Sequence, residues 1–137
     1  PRQFFAGIAL LLRPDGSFEA AVAGHPPVLR VDARGAVVER FGRGAYPLGI
    51  KEGQTWAVET GAVAPGESLV LHSDGLPEAR NALGQEFGDE RTLAVLARTA
   101  GRPAADVAAA LSGEVLSFLG RTPVGDDVSI GVLKRAG

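Results

Sequence analysis

Cysteine and methionine are both absent from this sequence of 137 residues. Without thiols there is no disulfide framework and no thiolate metal site. Any metal must be held by carboxylates, histidine or main-chain oxygens, a donor set that suits hard cations such as Mg2+ or Mn2+. Long apolar runs are missing too: the longest, Phe4 to Leu12, falls well short of the roughly 18 residues needed to cross a bilayer, and no signal-peptide pattern precedes it. A soluble, cytoplasmic protein with no membrane span is expected. Charge of either sign is in small excess only, 14 basic against 16 acidic side chains for a net charge of −2. Such a balance gives no general attraction to nucleic acid or to an anionic membrane, and neither is expected as a partner. The chain opens at Pro1 and enters an apolar segment within a few residues, so it reads as a fragment.

What is present is enough apolar material, 45% of residues, to build the core of one domain. Phe4 to Leu12 is apolar at both parities, which predicts a strand covered on both faces. Pro14-Asp15-Gly16 then supplies a turn before the alternation Phe18, Ala20, Val22, making a hairpin. A second strand pair, Val28 to Val31 and Ala36 to Phe41, is joined through Asp32-Ala33-Arg34-Gly35. Gly42 to Gly53 holds four glycines and Pro47 and reads as an irregular loop. Thr55 to Glu59 alternates around Trp56 and Val58 and reads as a strand, and Pro65-Gly66-Glu67 turns into another, Ser68 to His72.

Helical spacing begins beyond Asp74. Leu93, Leu96, Ala97 and Ala100 recur at that spacing behind Asp89 as N-cap, with Thr92 at the third helical position, and predict a helix over Asp89 to Ala100. Pro103 opens a second helix with Val107, Leu111, Val115 and Phe118 on one stripe and Gly120 near its end. Val128, Ile130 and Val132 share a parity in a closing strand, Val128 to Leu133. The fold class is therefore α+β, mainly antiparallel strands with two C-terminal helices, in a single unit over residues 1–137.

Two segments can carry chemistry. In Leu69-Val70-Leu71-His72-Ser73-Asp74-Gly75 an apolar strand ends in an acid, and Gly75 lets the backbone turn sharply. In Gly125-Asp126-Asp127-Val128-Ser129-Ile130 two acids open the last strand, and strand alternation lets only one of them reach a shared site. Each pattern alone reads as an ordinary turn. Together they supply carboxylates that meet if the two strands are neighbours, as a hard divalent cation requires. Ser73 has no recognisable His-Asp pair around it and is not read as a nucleophile.

His72-Ser73-Asp74-Gly75-Leu76-Pro77-Glu78-Ala79-Arg80-Asn81 resembles the Tyr-Thr-Asp-Gly-Val-Thr-Glu-Ala-Arg-Asn segment of the metal-dependent, type 2C protein serine/threonine phosphatases. The likeness is to the bacterial branch typified by the stage II sporulation E phosphatase and the sigma-factor regulatory phosphatases. Ala23-Gly24-His25-Pro26-Pro27, Pro47-Leu48-Gly49-Ile50, Phe87-Gly88-Asp89-Glu90-Arg91 and Asp126-Asp127-Val128-Ser129 follow in the family's order, so the resemblance covers nearly the whole chain. It implies an αββα sandwich, present in part, with a two-metal Mn2+ or Mg2+ centre at one edge of the sheets. Asp74 and Asp126 would be metal ligands and Gly75 the turn at the site. Asp127 would stand beside the metal, while Glu78 and His25 fall where a third, more labile metal is held in relatives.

The implied chemistry is hydrolysis of phosphoserine or phosphothreonine by a water that two metals activate, with no protein nucleophile. The absence of cysteine excludes a cysteinyl-phosphate route. The implied partner is a phosphorylated regulatory protein of the anti-sigma-factor antagonist type, with homodimerisation as the branch's means of control. The family also uses an earlier Gly-Asp segment whose aspartate bridges both metals, and nothing before Phe4 supplies it; little phosphatase activity is expected of these residues alone. A non-catalytic, phosphatase-like domain that binds a signalling partner is the alternative reading.

Overall fold

A computed structural model describes residues 3–42 and 44–137, so Pro1, Arg2 and, within the expected Gly42 to Gly53 loop, Arg43 lie outside the described residues. The chain forms β1 (Gly7–Leu12), β2 (Ser17–Ala23), β3 (Val28–Val31), β4 (Val37–Phe41), β5 (Glu59–Ala62), β6 (Ser68–His72), α1 (Gly88–Arg98), α2 (Ala104–Leu119) and β7 (Ile130–Lys134). Turn chemistry sets the two hairpins. At the first, the Asp15 carboxylate accepts the Ser17 N–H at 2.9 Å, and Gly16 takes the left-handed conformation that the tight reversal requires, with φ of 89°. At the second, the Asp32 carboxylate accepts the N–H groups of both Arg34 and Ala36.

The strands sort into two sheets, β1-β2-β5 and β4-β3-β6-β7, with every pairing antiparallel. Because side chains alternate across a strand, each sheet offers one apolar face to the other. Phe18, Ala20 and Val22 of β2 meet Val28, Phe41 and Leu69 of the second sheet there, and the Phe18 and Phe41 rings pack edge to face at 4.9 Å. The opposite face of the four-stranded sheet, through Leu29, Val31 and Val70, receives Val95 and Leu96 of α1 and Val107 and Leu111 of α2. A third cluster, Leu76, Ala79, Phe87, Val115 and Leu119, lies between α2 and the segment that follows β6. The result is a sheet–sheet–helix stack, three of the four layers of an αββα sandwich.

Several elements differ from the sequence-based expectation, each for a local reason. The segment from Phe4 to Leu12 is not covered on both faces: β1 is an edge strand with Leu11 and Leu12 exposed, and Phe4 and Phe5 lie before it, also exposed. The strand expected over Thr55 to Glu59 begins only at Glu59, where pairing with Ala20 of β2 begins. Trp56 is held instead by its indole N–H, which donates to the Tyr46 carbonyl at 2.7 Å, and Val58 faces solvent. The first helix starts at Gly88, so Asp89 stands in its first turn and is not the N-cap. Its buried face carries Thr92, Val95, Leu96 and Thr99, while Leu93, Ala97 and Ala100 are exposed. The two threonines are admitted to the core because their hydroxyls donate back to the helix carbonyls of Gly88 and Val95. On α2 the stripe ends at Leu119, with Phe118 half-buried, and Pro103 is the N-cap preceding the first turn. Strand β4 starts one residue later than expected, at Val37, and β7 starts at Ile130, leaving Val128 in the approach to it.

Leu111 is fully buried between α2 and the sheet, so Leu111→Ala should cost about 2–5 kcal/mol in urea unfolding. Leu83, at 82% exposure, should tolerate the same truncation within about 0.5 kcal/mol.

Candidate metal centre

Strand β6 delivers its last residue, His72, opposite Ile130, the first of β7. The segments carrying Asp74 and Asp126 therefore emerge side by side at one end of the four-stranded sheet. The pairing runs on past the named strands, since the Ser73 N–H donates to the Ser129 carbonyl at 2.9 Å. Beyond it the chain turns: Leu76 N–H donates to the Ser73 carbonyl at 3.2 Å, and Glu78 N–H to the Asp74 carbonyl at 3.1 Å. That last bond closes a single turn between Asp74 and Glu78.

Gly75 is buried at the contact between the two loops. A Cβ built on it would lie 2.2 Å from the Asp127 carbonyl oxygen and 3.5 Å from that of Asp126. Its backbone needs no left-handed conformation, so glycine is required here by close approach and not by φ. The Asp126 carboxylate accepts the Asp127 N–H at 2.7 Å. Asp74, Asp126, Asp127 and Glu78 are all exposed at this end.

His25 follows β2 at the same end of the sandwich. It is half-buried, with Nδ1 3.0 Å from the Pro26 carbonyl. It lines a cavity of about 320 Å³ together with Gly7, His72, Ser73 and Ser129. His25 is thus brought to Ser73, next to Asp74, but not into a common cluster of ligands: among the described residues no three His, Asp or Glu side chains gather closely enough to hold an ion. What the structure brings together is two loops, each bearing an exposed carboxylate, with main-chain carbonyls of Asp126 and Asp127 against Gly75; carboxylates and carbonyls are the donor types a small hard cation takes. Mg2+ in particular is commonly held by one or two carboxylates and keeps several waters.

The remaining motif residues brace the site from below. Phe87 is fully buried and packs edge to face on Phe118 at 5.6 Å. The Arg91 guanidinium lies 4.5 Å over the Phe118 ring and donates to the Phe87 carbonyl at 2.9 Å. Gly88 N–H and Phe87 N–H donate to the carbonyls of Pro77 and Ala79, which ties the start of α1 to the Asp74 loop. On the other side Gly24 sits so close to Pro47 that a Cβ would lie 2.3 Å from its ring, so the Ala23–Pro27 and Pro47–Ile50 segments pack on each other. Sequence reasoning set Ser73 aside once nucleophilic chemistry was excluded; the signal it passed over was a hydroxyl at the last strand position before the acid.

The profile of the family described as Stage II sporulation protein E (SpoIIE) matches residues 2–136. The chain belongs to the SpoIIE family. Its fold is that of part of a PP2C phosphatase domain. The SiaA PP2C domain of Pseudomonas aeruginosa superposes with a TM-score of 0.79 at 22% identity, covering 96% of this chain and 52% of that one. The phosphatase domain of the cell fate determinant SpoIIE from Bacillus subtilis, from Mn-presoaked material, gives 0.72 at 17% identity over 96% and 56%. In sequence, Protein IcfG of Synechocystis sp. is 27% identical over 82 residues, 60% of this chain and 13% of that protein. The chain therefore spans about half the length of these solved domains and a small part of the sequence relative.

Gly75→Ala should force the two loops apart and cost about 1–3 kcal/mol of stability, as overpacking of a closed contact does. Gly113→Ala, on α2 where a Cβ meets nothing within 4 Å, should be neutral or stabilising by up to about 1 kcal/mol. Paired thermal melts of the two variants check both signs.

Proposed function

We propose that this chain is the C-terminal part of a metal-dependent protein serine/threonine phosphatase domain and supplies Asp74 and Asp126 as ligands to its Mn2+ or Mg2+ centre. The observation that carries the reading is the closure of the two acid-bearing loops on each other, with Gly75 against the Asp127 carbonyl. Membership of the SpoIIE family and the fold shared with PP2C domains support it.

In this reading Asp74 and Asp126 bring two negative charges to one exposed end of the sheet, where a dianionic phosphate alone would be repelled. A divalent cation held there would lower the pKa of a water and offset charge on the phosphoryl oxygens. The chain's own contribution is to fix the carboxylates. Asp126 is oriented by the Asp127 N–H, and Asp74 is held at the start of a turn by the Glu78 N–H. Glu78, one turn beyond Asp74, and Asp127, on the adjoining loop, would add negative charge near the same cation. His25, beside Ser73, is assigned to the outer edge of that centre. The substrate in this reading is a phosphoserine or phosphothreonine on a regulatory protein, of the anti-sigma-factor antagonist type that the resemblance implies, and homodimerisation is its proposed means of control.

Asp74→Asn or Asp126→Asn in the full-length protein should lower Mn2+-dependent turnover of a phosphopeptide at least about 100-fold, the upper end of what removing even an outer partner of a metal ligand costs. Unchanged turnover in both variants sinks the assignment. The 137-residue polypeptide on its own, in which no three acidic or histidine side chains gather among the described residues, should show no turnover above background in the same assay. A full-length protein that binds a phosphoprotein but never hydrolyses it would instead make this a binding domain.

A further inference from the structure

We propose that Ser73 is a positioning residue whose hydroxyl sets the separation of the Asp74 and Asp126 loops, and hence the affinity of the metal centre; the inference rests on the assignment of those two acids as ligands. In an antiparallel pair of the hydrogen-bonded kind, two opposed residues exchange both N–H···O=C bonds. Ser73 and Ser129 make only one of them, from Ser73 N–H to the Ser129 carbonyl at 2.9 Å. The return bond is rerouted: Ser129 N–H donates to Ser73 Oγ at 2.9 Å, not to the Ser73 carbonyl.

That carbonyl is engaged elsewhere. It accepts the Leu76 N–H at 3.2 Å and the imidazole of His72 at 3.0 Å, with Nδ1 as the donor because a carbonyl can only accept. His72 is buried, so the contact is sheltered from water. The substitution of Oγ for the carbonyl lets the backbone leave the ladder and turn at Asp74 while the Ser129 N–H keeps a protein partner.

The same hydroxyl then donates its proton to the Asp127 carbonyl at 3.0 Å, the oxygen against which Gly75 closes. One Oγ therefore makes two bonds to the segment that follows Asp126, at Asp127 and at Ser129, while belonging to the residue before Asp74. Alanine and valine cannot make either bond. Threonine can make both, and its β-branched shape suits an extended position.

The test measures Mn2+ binding to the full-length protein by calorimetry, alongside phosphopeptide turnover as a function of Mn2+. Ser73→Ala should raise the apparent Mn2+ dissociation constant about 10-fold or more, the scale on which outer partners of metal ligands act. Its turnover should recover at saturating Mn2+, which a general loss of structure would not allow. Ser73→Thr should stay within about twofold of the parent, since it keeps the oriented hydroxyl. Ser73→Val, with threonine's shape and no hydroxyl, replaces Ser73→Ala should that variant fold poorly, and should behave as Ser73→Ala does. If Asp74→Asn weakens Mn2+ binding and the hydroxyl-free variants bind like the parent, the clamp is overturned and the metal centre stands. If Asp74→Asn also binds like the parent, the metal centre falls and the clamp with it.

Discussion

The antiparallel pairing of β6 with β7 joins two parts of the chain that are far apart in sequence and of opposite character. One is an apolar strand that ends in an acid, the other an acidic loop that ends in a strand. Everything at the candidate centre follows from that pairing: which residues face each other, where the chain turns, and why a glycine must stand between two main-chain carbonyls. Both strands are also central to packing. Leu69 of β6 faces the other sheet, whereas Val70 of β6 and Ile130 and Val132 of β7 face the helices. A slip of one residue in this pair would exchange those faces and separate the acids in the same step.

Around this pair, the family's motif residues divide between the proposed ligands and the residues that support their loops. Phe87, Gly88 and Arg91 hold the base of the Asp74 loop to the start of α1. Gly24 and Pro47 lock together the two connections between the sheets, β2 to β3 and β4 to β5. None of these carries chemistry, yet each restricts how far the acids can drift, and placing ligands to within a fraction of an ångström is what binding of a small cation demands.

The strand and helix order was readable because alternation and helical spacing report burial directly, and the turn residues at Asp15-Gly16 and Asp32 to Gly35 carry their own hydrogen-bonding instructions. What could not be read was tertiary. The exposure of Leu11 depends on whether a further layer covers the outer face of the first sheet, and here both helices pack on the other sheet; the rotation of α1 depends on threonines whose hydroxyls return to the helix. For the candidate centre, the sequence offered the two acids and their glycine through motif order. It did not offer the hydroxyl of Ser73, since a serine beside an acid has many roles and only the strand register selects one.

Strand β1 reads Gly-Ile-Ala-Leu-Leu-Leu, without a charge or a proline, and its outer edge pairs with no other strand among the described residues. Natural edges are usually blunted by lysine, proline or a bulge. This one carries none of those within its span, and Arg13 stands only at its end. A row of unsatisfied amides and carbonyls beside exposed leucines is a template for another extended segment. The net charge of −2 offers little repulsion to keep copies apart. Prepared by itself, the polypeptide would be drawn toward self-association along this edge, and its solubility would be governed by a six-residue strand whose first residue, Gly7, lines the same cavity as Ser73.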